Sequence, residues 1–314
     1  MVLPSLRQLT YLVALRDHGH FGRAAAACFV TQSTLSVGIA ELERLLGALL
    51  VERSKRSVRF TPVGEDVATR ARATIRAAED LVATARAARE PLVGPLRLAA
   101  IPTVAPFLLP AILAALADRW PRLRPYVREM LTGTACEALG RGAVDCVLLA
   151  LPAACGGVEA FELLTDRLVL ATPAAEGEGG GGEGTPIAIA DIDPTRLLLL
   201  EDGHCLRDHA LAACKVAEPP PDAPLVASTL DTLVRLVDAG LGVTLLPQMG
   251  VTAGILRGAR VRSRPVLGDD AERRIALVWR AGHPRAEEFR LLGATIRDAV
   301  AAAPGAIAGR SPGD

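Results

Sequence analysis

The sequence predicts a small all-α N-terminal part, a long connecting helix and a larger α/β part. Apolar residues recur at helical spacing through residues 6–45, and a Thr-Pro pair at 61–62 opens a long helix with polar faces. After Gly94 and Pro95, short apolar runs alternate with helical segments, which is typical of α/β structure. A chain of 314 residues with 50% hydrophobic content can bury more than one core, so roughly two domains are expected.

Charge is unevenly distributed along the chain. The 35 basic and 35 acidic residues cancel, so the whole chain lacks the strong basic balance of a polyanion-binding protein. Residues 1–64 nevertheless contain eight Arg or Lys and four Asp or Glu, a net charge of +4. The N-terminus shows no cationic stretch followed by an apolar run and a small-residue cleavage site, so a cytoplasmic location is expected.

Three short helices and a basic hairpin-like segment are predicted at the N-terminus. In chain order they cover residues 6–18, 20–28, 31–46 and 51–60. Gly19 and Gly47 end the first and third helices, and Thr31 and Ser33 offer hydroxyl groups that cap the third. This arrangement is the outline of a winged helix-turn-helix domain, which we expect to occupy residues 1–64.

The winged helix-turn-helix outline predicts contacts with double-stranded DNA. The N-terminal end of its third helix enters the major groove, and basic residues of the wing meet phosphates. The candidate residues on the helix are Thr31, Gln32, Ser33, Thr34 and Ser36, and those on the wing are Arg53, Lys55, Arg56 and Arg59. A solvated charged face is the alternative for an isolated charge run, but the adjoining helical pattern favours DNA binding.

A long helix is predicted from Thr61 and Pro62 to about Glu90. Alternating spacings of four and three relate a set of apolar or small residues along it: Val67, Ala71, Thr74, Ala78, Leu81, Ala85 and Ala88. That spacing is the seam of a coiled coil, so residues 65–93 are predicted to be a dimerising linker helix. A helix packed on its own domain is the alternative.

The remaining sequence reads as α/β structure. Its apolar runs cover residues 96–101, 144–150, 167–171, 196–200, 243–246 and 274–279. The apolar segment 98–117 is long enough to cross a bilayer, but its three prolines favour a buried strand, a turn and a helix, so no membrane partner is expected. Residues 176–184 are only Gly and Glu and are predicted to form a surface loop, to which no role is assigned.

Several segments resemble the DNA-binding domain of LysR-type transcriptional regulators. They are Ala24 and Ala25, the run TQSTLS at 31–36, Leu42 and Glu43, and the run FTPVG at 60–64. The resemblance implies two α/β subdomains like those of periplasmic binding proteins behind the linker. Their expected bounds are 94–165 with 269–305 for the first, 166–268 for the second, and 306–314 for a flexible tail.

Within that family, the run LLLLEDGHCLRD at 197–208 closely resembles the signature of the OxyR group of hydrogen peroxide sensors. The resemblance implies that peroxide oxidises Cys205, which forms a disulfide with Cys214. It also implies that Thr103 and Thr132 bind peroxide or water and that Asp208 orients local polar groups. Such regulators act as dimers or tetramers at promoters, where they contact RNA polymerase.

The chemistry of Cys205 can be argued from its neighbours in sequence. A thiol attacks peroxide as the thiolate, and nearby Arg or protonated His lowers its pKa from about 8.5. The candidates that lower it are His204, Arg207, Arg273 and Arg274. The product is a sulfenic acid, with which Cys214 would condense. If residues 205–214 are helical, the two cysteines lie about 13 Å apart, so local structure has to break before they bond.

The other cysteines and the histidines carry weaker signals. Most thiols of a cytosolic protein stay reduced and buried, and Cys146 falls in an apolar run, whereas Cys136 and Cys155 are expected to be partly exposed. No role is assigned to these three or to Cys28. No paired Cys-x-x-Cys, phosphate-binding loop or nucleophile elbow is present, so neither a metal, a cofactor nor an enzyme is predicted.

Two rival functions remain open at this point. The first is a LysR-type regulator that binds a small organic effector between its subdomains and does not use Cys205. The second is a thiol peroxidase that turns over peroxide with an external reductant. Peroxide consumption in stoichiometric amount excludes the peroxidase, and loss of the peroxide response in a Cys205→Ser variant excludes the organic effector.

Overall fold

The computed structural model describes residues 3–53, 58–87, 90–175, 185–215, 225–268 and 271–302. The chain divides into two compact units, residues 1–89 and 90–314. In the described part of the chain, no single helix combines the length and the apolar composition needed to cross a membrane. Among the described helices, the pair at 21–27 and 32–46 has that length and composition only when the two are counted together across a bend of 99°.

The first unit contains the predicted helices and hairpin. Its elements are α1 (Leu6–His18), α2 (Phe21–Ala27), α3 (Gln32–Leu46), β1 (Val51–Arg53), β2 (Val58–Phe60) and α4 (Pro62–Ala87). The predicted helix ends are confirmed, since Gly19 and Gly47 close α1 and α3 in the left-handed conformation, at φ 59° and 65°. β1 and β2 pair antiparallel, with Val51 opposite Phe60, as expected for a wing.

Helices α1 to α3 pack around a common apolar core. Leu12, Leu35 and Ile39 are fully buried in it. At Gly38 an added Cβ atom would lie 2.7 Å from the ring of Tyr11, so α3 can approach α1 this closely only with glycine there. This contact fixes the position of α3 relative to α1.

Helix α4 corrects part of the predicted coiled-coil seam. Ala71 is buried in the core of the first unit and Val67 packs against that core, so these two seam residues serve their own domain. Further along, Leu81 is 70% exposed. The alternative of packing on the same domain therefore applies to the first turns of α4, and the later turns keep an apolar side chain available to a partner.

The second unit is built on a mixed sheet with helices around it. Its elements are β3 (Gly94–Ala100), α5 (Ala105–Arg119), β4 (Leu123–Glu129), α6 (Thr132–Gly140), β5 (Cys146–Leu151), β6 (Val158–Pro173), β7 (Ile187–Ala188), β8 (Leu199–Leu200), α7 (Cys205–Ala213), β9 (Val226–Ala227), α8 (Leu230–Asp238), β10 (Thr244–Pro247), α9 (Gln248–Thr252), β11 (Val261–Leu267), β12 (Glu272–Arg280) and α10 (Ala286–Ala302). The strand order is β4-β3-β5-β12-β6-β11-β7, and β10 also pairs with β6. Strands β8 and β9 form a separate parallel pair.

Two hydrophobic cores lie within this second unit. The first gathers side chains of β3, α5, β5, β12 and α10, and the second gathers those of β8, α7, α8 and β10. The long strand β6 contributes to both, with Leu163 in the first core and Leu170 in the second. Helix α7 also meets both, because Cys205 packs in the first core and Leu206 in the second.

Each of the six apolar runs contributes to a strand, and the segment 98–117 is a strand, a turn and helix α5, as predicted. Strands β4, β7, β9 and β11 were not predicted. Most residues of β4 are exposed because it is the edge strand of the sheet, and its sequence therefore shows no apolar run. The Gly/Glu segment 176–184 lies outside the described residues.

Candidate functional site

Cys205 is the first residue of α7 and follows the short strand β8. Its side chain is buried, with 5% of the residue exposed. The unpaired N–H groups of a first helical turn favour a negative charge at this position. The location therefore combines shielding from bulk water with support for a thiolate.

Three side chains act on the Cys205 thiol. Burial alone would raise its pKa, but the His209 ring, the Arg273 guanidinium and the Thr132 hydroxyl together lower the pKa of Cys205 below its ordinary value. A thiol with a lowered pKa carries more of the reactive thiolate at neutral pH. Cys205 is therefore the activated cysteine among those that the structure describes, since burial raises the pKa of Cys28, Cys146 and Cys214.

His209 lies one helical turn after Cys205. Its Nδ1 atom is 2.6 Å from the carbonyl oxygen of Cys205, and its Nε2 atom is 3.1 Å from that of Leu151. A carbonyl oxygen only accepts hydrogen bonds, so both contacts are satisfied when both ring nitrogens carry a proton. Burial alone would lower the pKa of His209, but hydrogen bonds to Cys205 and Leu151 raise it. These hydrogen bonds therefore favour the protonated, positively charged form of the His209 ring.

Arg273 reaches the site from β12 and is fully buried. It donates to the Asp166 carboxylate, with Nε 3.0 Å and Nη2 2.9 Å from Oδ2. It also donates to Thr103, with Nη1 2.8 Å from the hydroxyl oxygen and Nη2 3.0 Å from the carbonyl oxygen. Asp166 in turn accepts from the Met249 amide at 3.0 Å. Arg273 is therefore a fixed charge that also anchors Thr103.

Thr132 is the first residue of α6. Its hydroxyl oxygen is buried and makes no hydrogen bond of good geometry to the described residues. It faces the Cys205 thiol closely enough to lower the pKa of that group. A buried hydroxyl without a firm partner is costly unless a further group supplies one. This hydroxyl therefore lies beside the thiol with hydrogen-bonding capacity that no described residue satisfies well.

Cys214 lies at the far end of the same helix. It caps α7, and both Cys205 and Cys214 are free thiols. The sequence left open whether this segment is helical, and the structure shows that it is. The helical rise over nine residues is about 13 Å, whereas bonded cysteines need α-carbons about 4.4 to 6.8 Å apart. A bond between them requires α7 to unwind.

The other residues expected near the thiol are placed differently. Burial lowers the pKa of His204 and so disfavours the charged form of its ring, whereas His209 and Arg273 supply the charges that act on Cys205. Arg207 is engaged with the Leu200 carbonyl oxygen at 3.1 Å and with Asp202 at 2.9 Å. These contacts order the turn before α7.

Arg274 and Asp208 are both exposed. Arg274 pairs with Glu162 because neighbouring residues of β12 point to opposite faces, and Arg273 takes the buried one. The structure therefore brings together Thr132, Arg273 and, through Arg273, Thr103.

Sequence reasoning missed His209 and Asp166 as parts of this site. The helical spacing of four between Cys205 and His209 was a usable signal, because such residues share a helix face. Asp166 had no local signal, since its partner Arg273 lies 107 residues away.

The start of α3 carries the polar side chains that the sequence predicted to contact DNA. Gln32, Ser33 and Thr34 are exposed, and Ser36 is half-buried. The Thr31 hydroxyl accepts from the Thr34 amide at 3.2 Å and therefore also caps the helix. Of the wing residues, Arg59 is exposed on β2, Arg53 ends β1, and Lys55 and Arg56 lie outside the described residues.

Four cysteines are free thiols, as expected for most of them, whereas the partly exposed Cys136 and Cys155 are not. These two are joined by a disulfide, with α-carbons 5.2 Å apart and a separation of 19 positions in sequence. Within the described ranges, no group of three or more His, Cys, Asp and Glu side chains is placed to hold a metal ion.

Two family models match the chain. The model described as the bacterial regulatory helix-turn-helix protein of the lysR family matches residues 6–65. The model described as the LysR substrate binding domain matches residues 89–301.

Curated relatives and solved structures are similar over nearly the whole chain. The HTH-type transcriptional regulator EstR of Acinetobacter baylyi is 41% identical over 290 residues, covering 92% of this chain and 95% of the relative. A probable hydrogen peroxide-inducible genes activator of Streptomyces viridosporus is 42% identical over 299 residues, covering 95% of each. An H2O2-bound cysteine-to-serine mutant of Corynebacterium glutamicum OxyR has a TM-score of 0.62 at 33% identity, covering 95% of this chain and 93% of that one.

Proposed function

Because the chain belongs to the LysR family of transcriptional regulators, we propose that it is a DNA-binding regulator that senses hydrogen peroxide through Cys205. The observation that carries this proposal is the buried thiol whose pKa is lowered by His209, Arg273 and Thr132 together. The similarity to proteins named as peroxide-inducible activators supports the same signal. The chain acts in the cytoplasm, where its DNA lies.

The oxidation step follows from the geometry at Cys205. The thiolate attacks one oxygen of hydrogen peroxide, the O–O bond breaks, and the second oxygen takes a proton and leaves as water. In this step the Thr132 hydroxyl donates to peroxide, a role that its buried oxygen without a hydrogen-bond partner supports, and Arg273 and His209 stabilise the charge before attack. Thr103, which Arg273 holds by a hydrogen bond, is the second hydroxyl group that we assign to peroxide binding. The product is a sulfenic acid on Cys205.

The second step forms a disulfide between Cys205 and Cys214 and changes the structure around α7. The Cys214 thiol attacks the sulfenic sulfur and water leaves, provided that α7 has unwound. Unwinding removes Leu206 and Ala210 from the second core and Cys205 from the first, so both cores of the unit are disturbed. A local covalent change thus becomes a rearrangement of packing.

The DNA-facing end follows from the first unit. Gln32, Ser33 and Thr34 at the start of α3 read bases, and Arg59 with the other basic wing residues binds phosphates. The later turns of α4, with Leu81 exposed, pair with a second copy of the chain. Two such pairs assemble as a tetramer, and the oxidised form contacts RNA polymerase at its promoters.

The test is mass spectrometry of the non-reduced protein after about one equivalent of hydrogen peroxide. We expect a disulfide between Cys205 and Cys214 in the wild type and a trapped sulfenic acid on Cys205 in the Cys214→Ser variant. Cys28→Ser is the matched control, since that cysteine lies in the other unit, and it should behave as the wild type. Intact thiols at 205 and 214 would leave a regulator with an organic effector, and sustained peroxide turnover would indicate a thiol peroxidase.

A further inference from the structure

A second cysteine pair lies in the same unit as Cys205. Cys136 on α6 and Cys155 after β5 are bonded, and each side chain is half-buried at the edge of the first core. Cys146, in contrast, is fully buried in β5. The bonded pair is therefore within reach of small thiols and disulfides in solution, whereas Cys146 is not.

This bond joins the two segments that hold the partners of Cys205. Cys136 lies one turn after Thr132 on the same face of α6, because the two are four residues apart. Cys155 lies four residues after Leu151, whose carbonyl oxygen binds the His209 ring at 3.1 Å. Thr132 and His209 are two of the groups that act on the Cys205 thiol. The disulfide thus links α6, which carries Thr132, to the segment that follows Leu151.

We propose that Cys136 and Cys155 are a second redox site, a reversible dithiol–disulfide pair that sets the reactivity of Cys205 toward peroxide. This inference deepens the proposed function and rests on it for the peroxide reaction. Disulfides that occur in the cytoplasm are usually transient, catalytic or redox-sensing, because glutathione and thioredoxin keep thiols reduced there. Exposed disulfides are the ones that this thiol pool reduces most readily. The oxidation state of the pair therefore follows the ratio of reduced to oxidised small thiols in the cell, whereas the oxidation state of Cys205 follows peroxide.

The pair closes by exchange with a small disulfide such as oxidised glutathione. The thiolate of one cysteine attacks a glutathione sulfur, the S–S bond breaks and one glutathione thiolate leaves. The second cysteine then attacks the mixed disulfide and releases the second glutathione. The protein loses two electrons and two protons, and oxidised glutathione gains them as two thiols. Reduced glutathione reverses both steps.

Reduction of the Cys136–Cys155 disulfide removes the covalent link between α6 and the segment after β5. Without this link, the Thr132 hydroxyl on α6 is less firmly placed beside the sulfur. The segment after Leu151 also relaxes, which loosens the end of β5 where the Leu151 carbonyl binds the His209 ring. Both changes weaken the support for the thiolate, so Cys205 should react more slowly in the dithiol form.

The test uses the full chain with Cys214→Ser, because this substitution prevents the disulfide between Cys205 and Cys214 and leaves the Cys205 thiol available. The protein is equilibrated in buffers of reduced and oxidised glutathione, quenched in acid and analysed by differential alkylation and mass spectrometry. The rate of Cys205 alkylation by iodoacetamide is then measured for the disulfide and dithiol forms. We expect the dithiol form to be slower by about threefold or more, since thiolate fraction controls the rate.

Matched variants separate this effect from damage to the fold. Cys136→Ser with Cys155→Ser should show the slow rate under every buffer, and Cys28→Ser should keep the difference between the two forms. A bond that never opens in excess reduced glutathione, or equal alkylation rates in the two forms, would overturn the inference. If the alkylation rates differ but peroxide leaves Cys205 unchanged, the proposed function fails and the coupled redox pair stands.

Discussion

The Nδ1 atom of His209 lies 2.6 Å from the carbonyl oxygen of Cys205, one helical turn before it in the same helix. Its other ring nitrogen faces a second carbonyl oxygen, that of Leu151, at 3.1 Å. Because both acceptors are carbonyl groups, these contacts raise the pKa of His209 and favour its doubly protonated, positively charged form. A charge that α7 carries on its own sequence thus supports the thiolate at the start of that helix.

Replacing His209 with glutamine should slow the reaction of Cys205 with peroxide. Glutamine can still bind a carbonyl oxygen but carries no charge, so the pKa of Cys205 rises. We expect the second-order rate constant at pH 7 to fall on the order of tenfold, since the thiolate fraction falls tenfold for each unit of pKa. Stopped-flow measurements on the Cys214→Ser background give this rate. His283→Gln, a buried histidine elsewhere in the unit, should leave it unchanged.

The pH dependence of thiol alkylation should differ between the two ends of α7. The pKa of Cys205 is lowered, so its alkylation rate should rise through a midpoint below the ordinary thiol value of about 8.5 and stay level above it. Burial raises the pKa of Cys214, so its midpoint should lie above that value. Peptide-resolved mass spectrometry measures both in one sample. Coinciding midpoints would contradict the assignment of Cys205 as the activated thiol.

The pair of Arg273 and Asp166 should matter for stability and for reactivity in separable ways. Arg273→Met leaves the buried Asp166 carboxylate uncompensated, so the free energy of unfolding should fall by about 3–5 kcal/mol. Arg273→Met combined with Asp166→Leu should recover most of that loss but not the reactivity of Cys205, which still lacks the guanidinium. Urea unfolding and alkylation rates measure the two effects.

Arg274→Met is the neighbouring control for that experiment. Arg274 pairs with Glu162 at the surface, so its loss should cost about 1 kcal/mol or less. Full recovery of Cys205 reactivity in the double variant at 273 and 166 would show that Arg273 acts only on the fold.

Oxidation should unwind α7. Hydrogen–deuterium exchange of the amides in residues 206–213 should be slow in the reduced protein and fast after one equivalent of peroxide, because the helical ladder breaks before Cys205 and Cys214 can meet. Cys214→Ser should form the sulfenic acid and keep the slow exchange. Unchanged protection in the oxidised wild type would argue against the transduction step.

Two adjacent residues of α3 should separate helix capping from DNA reading. Thr31→Ala removes the cap on the Thr34 amide and should cost about 1 kcal/mol of stability. Gln32→Ala removes an exposed side chain, so stability should hold while binding to a selected DNA site weakens by about 1–3 kcal/mol. Thermal unfolding and fluorescence anisotropy with selected and scrambled DNA distinguish them. Equal loss on both DNAs would assign Gln32 to phosphate contact.

Much of the first unit could be predicted because its signals are local. Glycine at 19 and 47 and the hydroxyl of Thr31 act within one turn of the chain, and the structure places each at the helix end expected. The edge strand β4 could not be predicted in this way, since its pairing with β3 is what makes it a strand. The coiled-coil seam was partly wrong for a similar reason, because Ala71 is buried by helices far from it in sequence.

The sequence by itself determined that Cys214 follows Cys205 by nine positions, because spacing along the chain is a local property, and the structure decided that the segment between them is helical. Only the tertiary structure decided which charges act on the thiol. Arg273 rather than Arg274 is buried at the site because Asp166 and Thr103, each more than 100 residues away, receive its hydrogen bonds. Electrostatic support depends on burial and distance, and strands that meet only in the folded sheet set both.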